Sequence, residues 1–165
     1  MSDPTGDRVR GTTYNLLFVC TGNTCRSPMA EAIARAALER RGWQHVEVRS
    51  AGTGAVPGTG ASGEAVIVAR ERGVDLSLHA AQPLSPELIA WADLVLAMGP
   101  SHMNALLDMG AADKAAFVTD FIEHEPGRPI ADPFGGDQEC YRETYEQLEQ
   151  AVAALLDRLE PILAP

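Results

Sequence analysis

The chain has 165 residues, a formal net charge of −10 and an apolar content of 45%. That length suits one domain with room for a real core, and that apolar content belongs to a globular protein and excludes a disordered one. The acidic balance argues against nucleic acid as a partner, because a phosphate backbone demands a basic face, and no apolar run is long enough to span a bilayer.

Residues 1–13 are polar, lack a hydrophobic signal core and read as a flexible extension ahead of a domain over 14–163. The apolar run Asn15-Leu16-Leu17-Phe18-Val19 reads as a strand. It leads directly into Cys20-Thr21-Gly22-Asn23-Thr24-Cys25-Arg26-Ser27-Pro28, and an Ala-rich amphipathic segment follows as a helix over Arg26 to Arg41, with Gly42 just past its end. Met29, Ile33, Ala36, Ala37 and Arg40 fall at helical spacing on it.

The loop between strand and helix is laid out as a thiol facing a cradle for a phosphoryl group. Thiolate, not thiol, attacks phosphorus, so the loop must supply Cys20 with positive charge and inward-pointing N–H groups. Wrapping backbone around an anion requires positive φ somewhere, and Gly22 and Asn23 are the residues suited to it. Pro28 fits the first helical turn, where its missing N–H costs nothing, and the positive end of that helix faces the anion. Arg26 offers a planar fork to two phosphoryl oxygens, and the Ser27 hydroxyl can donate to the thiolate. The backbone from Thr21 through Arg26 is the expected phosphate-binding segment, with Asn23 and Ser27 supporting the thiolate.

Further along, His45 to Arg49 reads as a second strand. Gly52 to Gly63 is a Gly/Ala/Ser/Thr loop on the substrate side; its Gly-x-Gly patterns do not open a strand-to-helix turn and make no nucleotide site. Glu64 to Glu71 is a helix ended by Gly73, and Ser85 caps a short helix begun by Pro86 and Glu87. Asp93 to Met98 is a third strand, Pro100 to Met109 a helix, and Ala115 to Thr119 a fourth strand. Asp137 to Glu160 is a long final helix with Tyr141, Tyr145, Leu148, Val152, Leu155, Leu156 and Leu159 as its buried stripe. Alternating strands and helices give a single three-layer α/β domain of Rossmann-like type: a four-stranded parallel sheet with helices on both faces and the site at the carboxyl ends of the strands.

Expelling a poor leaving group from phosphorus calls for a general acid. Spacing alone does not choose among Asp132, Asp120, Asp137 and Glu123. Cys25 lies close enough along the chain to trap an oxidised Cys20 as a disulfide, or it is a small residue packed under the loop. Cys140 falls away from the motif. His45, His79, His102 and His124 are scattered, so no zinc site or other metal centre is expected, and no cofactor. Three cysteines form no paired framework, which points to a reducing cytoplasm.

The loop through Ala30-Glu31 resembles that of the low-molecular-weight protein-tyrosine phosphatases and their bacterial relatives, the protein-arginine phosphatases. So do Ser50-Ala51-Gly52-Thr53, Ala92-Asp93-Leu94-Val95-Leu96-Ala97-Met98 and Asp132-Pro133-Phe134-Gly135-Gly136. The resemblance implies that fold over about residues 14 to 160, with Cys20 as nucleophile, Arg26 as phosphoryl clamp and Asp132, in the Asp-Pro-aromatic motif, as general acid and then base. It also implies phosphorylated proteins as substrates, with inorganic phosphate or another oxyanion as product or inhibitor. Thr24 stands where tyrosine-directed members carry a bulkier aliphatic, and with Phe134 it is expected to set specificity. The segment Thr53 to Gly63 contains no aromatic, so one wall of a ring clamp is missing. Both features favour phosphoarginine over the alternative, phosphotyrosine. Arsenate reduction is disfavoured because Leu84 to Met109 holds no further cysteine. A non-catalytic phosphoprotein-binding module would not need both Cys20 and Asp132.

Overall fold

In the computed structural model, residues 13–163 are described. The expected extension over 1–13 lies, apart from Thr13, outside the described residues. Strand β1 (Tyr14–Cys20) is followed by helix α1 (Arg26–Arg41), strand β2 (Val46–Gly52), and helices α2 (Gly63–Glu71) and α3 (Pro86–Trp91). Strand β3 (Leu94–Ala97), helix α4 (Pro100–Asp108), strand β4 (Ala115–Phe117) and helix α5 (Gln138–Leu163) complete the order.

All strand pairs are parallel, in the order β2-β1-β3-β4. Leu16, Leu17, Phe18 and Val19 in β1 are wholly buried, because this central strand is covered on both faces. Its side chains divide between two cores. Leu16 and Phe18 join α1, α2 and α5 on one face. Leu17 and Val19 join α3 and α4 on the other. The chain runs from β1 outward to β2 and later returns to place β3 on β1's opposite side, so the carboxyl end of β1 lies where the strand order reverses.

Local signals set the helix ends. Cys25 precedes α1, and the first helical bond runs from Met29 N to Cys25 O. Pro28 therefore sits in the turn whose N–H groups have no helical acceptor. Gly42 closes α1 at φ 72°. Ser62, unnoticed in the sequence, caps α2 by accepting from Ala65 N, and Ser85 caps α3 as expected. The seven expected stripe positions of α5 are all buried. That helix runs past the expected end at Glu160, through Pro161 to Leu163, where His45 Nε2 bonds the Leu163 carbonyl. On α1 the expected Arg40 is exposed, and Leu38 is buried in its place.

Candidate active site

The loop from Cys20 to Ser27 joins the end of β1 to the N-terminus of α1. Among the described residues, no backbone acceptor is found by the N–H groups from Gly22 to Ser27. A loop with free amides at a helix N-terminus favours an anion.

The loop's shape comes from Asn23. It is the one described non-glycine residue at positive φ, 57°, and Gly22 is not among the positive-φ glycines. The expectation that Gly22 makes the left-handed turn is therefore corrected. Asn23 can hold that turn because its side chain is tied on every side. Nδ2 donates to Ser27 Oγ at 2.8 Å and to Ser50 Oγ at 2.9 Å, while Oδ1 accepts from Gln82 N at 2.9 Å. His79 Nε2 bonds the Asn23 carbonyl at 2.7 Å.

The end of β2 lies directly against the loop. A Cβ on Gly52 would stand 2.3 Å from the Thr21 carbonyl oxygen and 2.9 Å from Asn23 N. Thr53 N donates to Cys20 O and Gly54 N to Thr21 O, both at 2.9 Å, and Ser62 N donates to Thr24 O.

A cavity of about 210 Å³ opens here, lined by Cys20, Thr21, Gly22, Thr24, Cys25, Arg26, Asp132 and Phe134. Every residue expected at the site lines this cavity except Asn23 and Ser27, which lie buried beneath it. Cys20 Sγ is 2.9 Å from Ser27 Oγ. Arg26 is buried and donates from Nη1 to the Ile130 carbonyl at 3.0 Å. Its Nη2 stands 3.5 Å from Asp132 Oδ2, and its Nε has no partner among the described residues. A buried guanidinium anchored at one end, with an unpaired N–H, is suited to a bound oxyanion. Asp132 Oδ1 accepts from Phe134 N at 3.1 Å, which turns the backbone after Pro133 and leaves Phe134 as an exposed wall of the cavity.

Cys25 is buried with its sulfur 3.3 Å from Tyr141 Oη and 3.6 Å from Ser62 Oγ. Burial, with the Cys25 contact second, pushes the Tyr141 phenol up to about 12, so it stays a neutral partner. Cys20, Cys25 and Cys140 are all free thiols, and Cys140 is exposed on α5. No cluster able to hold a metal ion occurs among the described residues.

One site residue was missed in the sequence. His102, on α4, is buried and its Nε2 lies 2.8 Å from Thr21 Oγ1. Burial first and then the charge of Arg26 pull it down to about 4, against an opposing pull from Asp132. It is a neutral imidazole at neutral pH. Its place in the first turn after β3 was the available signal, since β3 ends beside β1 at the same sheet edge.

A family model described as low molecular weight phosphotyrosine protein phosphatase matches residues 15–162. A protein-arginine-phosphatase of Geobacillus stearothermophilus is 42% identical over 149 residues, covering 89% of this chain and 97% of that one. Among solved structures, a low molecular weight protein tyrosine phosphatase from T. tengcongensis is 42% identical with a TM-score of 0.83, covering 89% of this chain and all of that one. The YwlE arginine phosphatase, solved as a cysteine-to-serine mutant with its active-site serine phosphorylated, is 39% identical with a TM-score of 0.84, covering 90% and 97%. Fold and loop thus define a protein phosphatase, an enzyme. The chain belongs to the low molecular weight phosphotyrosine protein phosphatase family.

Proposed function

We propose that this phosphatase hydrolyses phosphoarginine residues of proteins through a phosphocysteine on Cys20. The observation that carries the reading is the cavity lining: Thr24, Phe134 as its one aromatic, and Cys20, Arg26 and Asp132 together. A single aromatic wall offers an aryl ring half a clamp, which forgoes about 0.5–1.5 kcal/mol of ring stacking. The methylene stem of an arginine needs no second ring. The similarity to the Geobacillus protein-arginine-phosphatase supports the same choice.

The chemistry follows from the positions. The Cys20 thiolate attacks phosphorus while the Ser27 hydroxyl donates to it. Arg26 turns its fork onto the phosphoryl oxygens, and the loop amides from Gly22 onward take the remaining charge. The P–N bond breaks as the Asp132 carboxyl gives its proton to the leaving nitrogen. The Asp132 carboxylate then takes a proton from water, whose oxygen attacks phosphorus. The S–P bond breaks, and inorganic phosphate leaves with the thiolate restored. Cys25, which lines the same cavity as Cys20, is the thiol assigned to protect an oxidised Cys20 by disulfide formation. Three free thiols support a reducing, cytoplasmic setting, and no helix of the described residues is long and apolar enough to cross a membrane.

Phosphotyrosine is the second reading, favoured by the similarity to the T. tengcongensis tyrosine phosphatase. Side-by-side kcat/KM values on phosphoarginine and phosphotyrosine peptides decide between them. The parent is expected to prefer phosphoarginine. Thr24→Ile, which offers an apolar face to a ring, is expected to move the ratio toward phosphotyrosine by about tenfold or more. A parent that prefers phosphotyrosine, or a ratio unmoved by the substitution, overturns the arginine reading.

A further inference from the structure

Glu31, on α1, ends a chain of hydrogen bonds that begins at Cys20. Ser27 Oγ lies 2.9 Å from Cys20 Sγ. Asn23 Nδ2 gives one hydrogen to Ser27 Oγ at 2.8 Å and the other to Ser50 Oγ at 2.9 Å. Ser50 Oγ donates to Glu31 Oε1 at 2.6 Å, and Arg35 Nη2 donates to Glu31 Oε2 at 2.7 Å. The Arg35 side chain is mostly exposed, and that of Glu31 is 17% exposed. The chain therefore runs from the protein surface to a buried sulfur.

The direction of every hydrogen follows from what each group can donate. A guanidinium has no acceptor and a carboxylate has no donor, so both Glu31 oxygens are committed as acceptors. The one Ser50 hydrogen goes to Glu31, which leaves Ser50 only able to accept from Asn23. The Asn23 amide cannot flip, because its Oδ1 already accepts from Gln82 N. Ser27 accepts from Asn23 and has one hydrogen to give. Cys20 Sγ at 2.9 Å is the nearer acceptor, with the Ala51 carbonyl at 3.4 Å. Bonds aligned this way polarise one another.

We propose that Glu31, held by Arg35, is a positioning residue for phosphoryl transfer: by taking the Ser50 hydrogen it keeps Ser50 an acceptor for the second Asn23 hydrogen, which, with Gln82 N on Oδ1, holds the Asn23 amide against Ser27 so that the Ser27 hydroxyl donates to the Cys20 thiolate. The inference rests on Cys20 being the nucleophile.

Glu31→Gln tests it, because one carbonyl oxygen must then serve two donors. Arg35 can only donate, so the glutamine oxygen turns to Arg35 and its NH2 faces Ser50. The Ser50 hydrogen loses its acceptor and is driven against the Asn23 amide. In Glu31→Gln/Arg35→Ala the demand from Arg35 is gone, and the glutamine oxygen returns to Ser50. The readout is the pH midpoint of iodoacetamide alkylation at Cys20, followed by mass spectrometry of the Cys20 peptide, which requires no turnover. Glu31→Gln is expected to move that midpoint up by about half to one pH unit, and the double variant is expected to bring it back toward the parent. Simple charge effects have the opposite sign at both steps: loss of a carboxylate lowers the midpoint, and loss of the Arg35 charge raises it. An unchanged or lowered midpoint in folded Glu31→Gln overturns the proposal. Should that variant fail to fold, Ser50→Ala breaks the same chain; a rise supports the proposal and no change overturns it. Failure of the nucleophile reading shows separately, as turnover that survives full alkylation of Cys20.

Discussion

Asp132 keeps half of its side chain in solvent while its Oδ2 lies 3.5 Å from the buried Arg26 guanidinium. A carboxyl group so placed can give a proton to a leaving group above the cradle and, as the carboxylate, later take one from water. Asp132→Asn is expected to slow phosphocysteine formation by about 10²–10⁴-fold for poor leaving groups. An activated aryl phosphate, which departs without help, is expected to suffer least. Equal losses on both substrates in pre-steady-state measurements would mean that Asp132 only positions the loop. His102 makes a separate expectation about stability. Its folded value, about 4, lies below the unfolded 6.5. Between those values the unfolded chain binds the extra proton, so the stability contributed by neutral His102 is fully present above about 6.5 and is lost as pH falls toward 4. The Tm of the parent should therefore fall more between pH 7 and pH 5 than that of His102→Gln. Equal falls would show that His102 does not stay neutral in the fold. The loop residues were legible in the sequence because they are contiguous, and their types state their chemistry. The division of labour between Gly22 and Asn23 was not, since it depends on Ser50 and Gln82, which reach Asn23 from distant parts of the chain.

Secondary-structure elements meet the loop most closely at the end of β2. There Gly52 gives room for the Thr21 carbonyl, and a Cβ would need to occupy a point 2.3 Å from it. Backbone, not a flexible side chain, blocks that position, so Gly52→Ala must displace the cradle. A displacement near 1 Å is expected to cost about 100-fold in kcat/KM. Gly54→Ala is the control, because its Cβ would meet only Thr21 atoms at 4.0 Å. If both variants keep parent-like kcat/KM, the loop does not depend on this approach. Element types were readable throughout: periodicity gave α5 its stripe, and Gly42 and Ser85 gave two helix boundaries. The ends of short strands were less so. β4 stops at Phe117, where the Asp120 carboxylate accepts from Phe117 N and starts a turn, a local competition that apolar patterning does not register.

For the molecule as a whole, sheet order does what sequence order hides. Placing β3 beside β1 brings His102 to Thr21, and the segment ending in Asp132 crosses the same edge as Ile130 N bonds Met98 O. The α/β class and the location of the site were legible, because a loop after the first strand of such a sheet faces the reversal point. Contacts made by later segments needed the strand order itself. The acidic chain, at −10, surrounds a locally cationic cradle built from Arg26 and free amides. The proposed reaction has one central chemical consequence, a covalent phosphoryl group on Cys20, and rapid acid quench during turnover of a phosphoarginine peptide, with mass spectrometry of the digested protein, tests it directly. The expected result is a phosphoryl group on the Cys20 peptide that appears before free phosphate, together with no steady-state phosphate release by Cys20→Ser. Phosphate release by that variant at the parent rate, or a phosphoryl group found on a different residue, would contradict the account.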